Sequence, residues 1–145
     1  MLCDLSKVHT GYIIIPKVTH VTEDREWGQP GSSKKIYVSE TLIQKSGFAF
    51  IDRVIERKEN EYWKIQIDTF QHWQWGIDKM VGEWRTKSLG RSRVLVEYSY
   101  KLHFSNPLFF PFVLIMGHTV WKFYMKKVME NVKKMAYANE PYLYD

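Results

Sequence analysis

The run RSRVLVEYSYKLHF, Arg91–Phe104, alternates along almost its whole length. Val94, Val96, Tyr98, Tyr100, Leu102 and Phe104 share one side; Arg93, Glu97, Ser99, Lys101 and His103 share the other, with Leu95 the exception. A period of two over this length predicts a long antiparallel strand with one face covered. The C-terminal segment has a different period. From His118 to Ala136 the apolar positions are Trp121, Tyr124, Met125, Val128, Val132 and Met135, steps of three and four that mark one helical stripe. Lys122, Lys126, Glu130 and Lys133 fall on the other side. A long strand feeding an amphipathic helix at the chain's end restricts the fold to those in which the helix lies on a sheet.

The rest supplies that sheet. KMVGEWRTKS places Met80, Gly82, Trp84 and Thr86 on one side; EYWKIQIDTF places Trp63, Ile65, Ile67 and Thr69 inward and Lys64, Gln66 and Asp68 outward. GFAFIDRVIERK reads as a strand with mixed faces, KKIYVSE as a short strand with Ile36 and Val38 inward, and Lys17–Glu23 as a further one. KEN at Lys58–Asn60 and LGRS at Leu89–Ser92 read as hairpin turns. About six strands followed by one long helix define an α+β architecture, with the helix across one sheet face. Pro107 suits a first helical turn, and Pro111 predicts a bend or a delayed start. Leu108–Met116 is apolar all round, which implies burial on most sides or contact with something apolar. No repeat, linker or low-complexity tract divides the 145 residues, so one domain over 1–145 is expected.

Composition narrows the function. Aromatics are 16% of the chain, a proportion suited to packing around a space as well as to filling one. Cys3 is the only cysteine, and MLCDLSKVHT lacks the features of a signal peptide; both fit a soluble, cytoplasmic protein. The net charge of +5 owes much to late lysines, the wet face of the helix, which would also attract anionic lipid. Neither zinc-finger spacing nor an RNP aromatic motif points to nucleic acid. The five histidines show no ligand spacing, so no metal or other cofactor is expected. For acid–base chemistry Asp52, sharing a side with Phe50 and Val54, and His72 are the candidates; Asp68, Glu83, Glu97 and His103 face outward. HWQW at His72–Trp75 reads equally as a loop over a cavity mouth or as a strand extension.

EWGQPGSSKK at Glu26–Lys35 is a stiff corner between two strands, with Gly28 and Gly31 free to take unusual φ and Pro30 limiting the loop. Ser32 and Ser33 there are expected to bond local backbone. Together with TGY at Thr10–Tyr12 and Pro16 after it, GEW at Gly82–Trp84, RSRVLVEYSY at Arg91–Tyr100 and WKFYMKKVMENVKKM at Trp121–Met135, this corner resembles the START-like superfamily, specifically the bacterial polyketide cyclase/dehydrase and lipid-transport (SRPBCC) group. The resemblance spans nearly the whole chain. It implies a helix-grip (START/Bet v 1-like) fold, in which a curved antiparallel sheet wraps the C-terminal helix around an apolar cavity. The cavity would bind a hydrophobic lipid or polyketide-like molecule, lined by Trp84, Tyr98, Tyr100, Trp121, Tyr124 and Met125. A cyclase or dehydratase on the same fold is the enzymatic alternative; a membrane-surface or protein-interaction role, using Leu108–Met116 and the late lysines, is the third. The chain departs from the family pattern in two places. Only nine residues precede Thr10, where the family has an edge strand, so a homodimer through an open edge or a covering segment is expected. TGYIIIP is more apolar than expected, which suits contact with a greasy ligand or partner.

Overall fold

The computed structural model describes residues 4–71, 76–91 and 93–138. Helix α1 (Leu5–Val8) is followed by β1 (Val18–Glu23), β2 (Ser33–Val38), β3 (Gly47–Lys58), β4 (Tyr62–Asp68), β5 (Ile77–Ser88) and β6 (Val94–Phe104). A 3-10 turn (Pro107–Phe109), α2 (Phe110–Met116), a π-helical turn (Gly117–Trp121) and α3 (Lys122–Tyr137) complete the described chain. The six strands form one antiparallel sheet in sequence order, each pairing with the next. Each strand therefore runs opposite to the one before it, as antiparallel pairing requires.

The Glu26–Lys35 corner ties three strands together. Gly28 and Gly31 take φ of 97° and 91°, the region where a Cβ is costly. Gly31 N–H donates to Val54 C=O and Val54 N–H to Ser32 C=O, so the corner docks on β3. Ser32 Oγ donates to Gln29 C=O and accepts from Gly28 N–H, the local backbone role expected of it. Arg57 adds a bond to Gly28 C=O. The corner's product is a buried Trp27, set edge-on to Trp63 with ring centroids 6.0 Å apart.

Two apolar clusters hold the layers. Val18, Ile36, Val38 and Ala49, with Leu5 and Phe50 against them, close the β1–β3 end. Val8, Tyr124, Met125 and Val128 form the second, joined by Tyr12, Ile15, Trp84, Tyr100, Trp121, Val132 and Met135, so the predicted helical stripe does face the sheet. Polar bonds from α3 add to this: Asn131 Nδ2 donates to Val8 C=O and Lys127 Nζ to Gly11 C=O.

Two expectations need correction. The inward side of β6 is covered only in part: none of its six residues is buried, and Val94 and Tyr98 are 60% and 39% exposed. Its edge position explains this, because among the described residues β6 pairs with β5 alone. Leu108–Met116 is not buried on most sides; Val113 alone is, while Leu108 and Ile115 are 81% and 65% exposed. The π-helical turn accounts for the break in the stripe. One extra residue rotates the rest of the helix by about 100°, so the residues buried after it do not continue the line buried before it. His118 Nδ1 and Thr119 Oγ1 bond back to Leu114 and Ile115 C=O at this point, competing with the regular ladder. Pro111 sits in the first turn of α2 behind a 3-10 turn, a delayed start as expected. The residues described before β1 make a helical turn, α1, that packs on the β1–β3 end through Leu5 and against α3 through Val8.

Candidate ligand site on the inner face of the grip

Strand register assembles the inner face in rows. One row runs Lys34, Asp52, Ile67, Met80, Leu102; the next Val54, Ile65, Gly82, Tyr100; the next Trp63, Trp84, Tyr98. The third and second rows meet the helix through rings. Trp84 stacks on Tyr98 at 5.1 Å, Tyr100 stands edge-on to Trp121 at 5.5 Å, and Trp121 leans on Tyr124 at 5.4 Å. The ladder thus passes from the β6 edge to the helix core. Gly82 makes it possible: a Cβ there would lie 2.7 Å from Tyr100 Cε1 and 3.0 Å from Ile65 Cγ1. The missing side chain lets the Tyr100 ring lie flat on the sheet.

The first row brings charge into the same face. Asp52 and Lys34 are both buried, with Oδ2 and Nζ 4.0 Å apart. Lys34 Nζ also sits 3.8 Å from the centre of the Trp27 ring, a cation–π contact strengthened by desolvation. Asp52 Oδ1 finds no hydrogen-bond partner among the described residues. Burial pushes the Asp52 carboxyl up to about 6, against the opposing pull of Lys34. A group so placed changes protonation near neutrality. Burial likewise raises the Tyr100 hydroxyl, an effect to which the Asp52 charge adds and which a hydrogen bond from Trp84 opposes. On the helix side, His9 and the Tyr124 hydroxyl share a hydrogen bond. Burial, helped by the Lys34 charge, lowers the His9 imidazole to about 4, so it is neutral at physiological pH.

Of the residues singled out in the sequence, Trp84, Tyr98, Tyr100, Trp121, Tyr124 and Met125 all fall on the inner face or the helix stripe opposite it. They are not equivalent. Met125 and Tyr124 are packed core, whereas Trp84, Tyr98, Tyr100 and Trp121 retain accessible surface. Asp52 is inside, paired with Lys34. Cys3 and His72–Trp75 lie outside the described residues. Asp68 and Glu83 face outward in ion pairs with Arg53 and with Lys64 and Arg85. Sequence reasoning missed Lys34 and His9. Lys34 has the parity of Ile36 and Val38, and that was the available signal; nothing local distinguishes His9. Among the described residues no three His, Cys, Asp or Glu side chains gather as a metal site requires.

A second surface borders this one. Leu108, Phe110, Leu114 and Ile115 are exposed along the 3-10 turn and α2. Within Phe104–Met129 the charged residues are Lys122, Lys126 and Lys127, with no carboxylate. The helical stretch Pro107–Tyr137 is long and apolar enough to cross a membrane by length and composition, and 17% of its most apolar window is buried. The stripe of α3 packs toward the sheet, whereas the 3-10 turn and α2 that precede it are mostly exposed.

No family model matches the chain, and no curated protein does. Among solved structures fifteen chains match. The crystal structure of Ara h 8.0201, a Bet v 1-family allergen, superposes with a TM-score of 0.54 over 88% of this chain and 91% of that one, at 13% identity. The architecture is therefore a helix grip: a six-stranded antiparallel sheet with a long C-terminal helix. At the level the likeness reaches, it is the Bet v 1/START-like fold.

Proposed function

We propose that the protein binds an elongated apolar or aromatic small molecule, of lipid or polyketide-like chemistry, between α2–α3 and the inner sheet face. The observation that carries this reading is the incomplete cover of the ring ladder. Trp84, Tyr98 and Tyr100 on the sheet and Trp121 on the helix form one run of ring contacts yet retain accessible surface. Rings of this size bury large areas when a core closes on them; left half-covered, they offer apolar area to a guest. Sites of this kind are mostly apolar with a few oriented polar groups, and Asp52 Oδ1 supplies an acceptor at one end. A guest with a hydroxyl or amine at one tip fits best. Cytoplasmic residence and a single START-like domain over 1–145 belong to the same proposal.

Native mass spectrometry of the purified chain, with thermal-shift assays using dodecanol, dodecanoate and an aromatic polyketide, tests it. A retained or stabilising ligand is expected, with Trp121→Ala reducing the shift and Asp52→Asn reducing it for dodecanol in particular. Absence of a retained ligand, with no shift for any of the three, overturns the reading. Conversion of the polyketide, abolished in Asp52→Asn, would move it to the cyclase or dehydratase class.

The exposed α2 face favours a second reading, transient contact with an anionic membrane. Leu108, Leu114 and Ile115 would enter the headgroup region while Lys122 and Lys126 meet phosphates. Co-sedimentation with vesicles containing phosphatidylserine, but not with pure phosphatidylcholine, and its loss in Leu108→Asp/Ile115→Asp, is the expected outcome. Equal recovery with both vesicle types, or none, counts against it.

A further inference from the structure

The sheet has two edges, and they are built differently. β1 is six residues long and carries a register shift between Val18 and His20, an irregularity that discourages further pairing. β6 is eleven residues long. Its register with β5 is regular from Val94 to His103, and the one irregularity, between Ile77 and Lys79, lies in β5. Among the described residues β5 is its sole strand neighbour. Its outer side therefore presents a straight row of backbone N–H and C=O groups, which only another strand satisfies in full.

The β6 sequence says which strand. VLVEYSYKLHF is complementary to its own reverse about Ser99. Set antiparallel to a copy centred there, Glu97 faces Lys101 and Lys101 faces Glu97. Tyr98 faces Tyr100, Val96 faces Leu102 and Val94 faces Phe104. Each ion pair is repeated by symmetry, and every inward residue meets another apolar or aromatic one, the pairings that favour antiparallel neighbours. A two-fold axis normal to the sheet keeps each residue on its own face, so a centre must fall on a residue. Centring on Ser99 pairs the whole strand. Moving the centre to Tyr98 sets Lys101 against Leu95 and Glu97 against Ser99; moving it to Tyr100 sets Lys101 against Ser99. Both shifts break the charge pairing between Glu97 and Lys101 and leave strand ends unmatched. Val94, Leu95 and Tyr98, all exposed in the single chain, lie within this contact.

We propose that a second copy of this chain occupies the β6 edge, strand against strand, antiparallel and centred on Ser99. Two six-stranded sheets then join into one, with both helices on the same face, in an isologous contact. The inference rests on the edge and its sequence and is independent of any ligand.

Size-exclusion chromatography with light scattering on the full chain reads the state. A mass twice that of the chain is expected at micromolar concentration. Glu97→Lys sets Lys against Lys101 at both symmetric positions and gives a single-chain mass; Glu97→Lys with Lys101→Glu restores the doubled mass. Both variants lose the Glu97 neighbour of Arg85 on β5, so that loss cannot explain a difference between them. Circular dichroism confirms that each is folded. Should Glu97→Lys fail to fold, cysteine cross-linking decides: in a Cys3→Ser background, Ser99→Cys oxidises to a covalent dimer and Thr22→Cys on β1 does not. A single-chain mass for the unmodified protein overturns the proposal. So does a doubled mass indifferent to Glu97→Lys, or cross-linking through Thr22→Cys instead of Ser99→Cys.

Discussion

Asp52 faces Lys34 directly across the β2–β3 pairing, and both side chains are out of water. Their charged atoms lie 4.0 Å apart, and the lysine is backed by the Trp27 ring that the glycine–proline corner presses into place. The corner thus fixes the polar end of an otherwise aromatic inner face. A pair so buried contributes little net stability, yet removing one member leaves the other charged and uncompensated.

Lys34→Met is accordingly expected to destabilise the fold by about 3–5 kcal/mol at pH 8, and to raise the Asp52 pKa further, because the lysine is what opposes its upward shift. Lys34→Met with Asp52→Leu removes the stranded carboxylate and recovers most of the loss. Urea denaturation of the three proteins checks this. Equal destabilisation in the single and double variants would show that Lys34 acts through packing and not through its charge.

Asp52 and His9 pull the pH dependence in opposite directions. The Asp52 carboxyl goes from 3.8 to about 6 on folding. The folded state therefore binds the extra proton, and its contribution falls as pH rises across that interval, by on the order of 3 kcal/mol. His9 goes from 6.5 down to about 4. Here the unfolded state binds the extra proton, so the contribution is complete above 6.5 and is lost as pH falls toward 4. The two nearly cancel in the unmodified protein. Asp52→Asn is expected to become less stable on acidification from about pH 6.5 to about 4, and His9→Gln more stable over the same range. Denaturation midpoints at half-unit pH steps measure both slopes; slopes of the same sign would contradict the assignment.

Gly82→Ala tests the ladder. The added Cβ collides with the Tyr100 ring and with Ile65, and Tyr100 cannot tilt away without disturbing Trp84 and Trp121. Overpacking of this kind costs about 1–3 kcal/mol. The loss should come with a changed near-ultraviolet circular dichroism signal from the coupled rings. An unchanged spectrum would mean that the ring has room to move.

Much of this architecture was legible because periodicity reports faces directly. The alternation from Val94 to Phe104 and the stripe from Trp121 to Met135 each identified an element and the side it turns inward. The six-strand order came from turn residues such as Asn60 and Gly90, both at positive φ. What escaped depends on long-range relations. Lys34 has the parity of an inward residue but the chemistry of an outward one, and its compensation comes from Trp27, on the far side of the corner, and from Asp52, on the next strand. His9 is inward only because Tyr124, 115 positions later, meets it. The exposure of Leu108 and Ile115 was not legible because a segment apolar all round carries no stripe to show which side turns inward.

The terminal helix is largely exposed before the π-helical turn and packed on the core after it, and substitution should separate the two parts. Met125 is fully buried among Val8, Tyr124 and Val128, so Met125→Ala removes transfer free energy and leaves a cavity, together about 2–5 kcal/mol. Ile115, in the part before that turn, is 65% exposed. Ile115→Ser removes a comparable apolar side chain, yet it is expected to fall within about 0.5 kcal/mol of the unmodified protein. Guanidinium denaturation of the two variants in dilute solution makes the comparison. A loss at Ile115 approaching that at Met125 would mean that the α2 face is covered in solution, by another copy of the chain or by the sheet itself, and would remove the basis for its contact with a membrane.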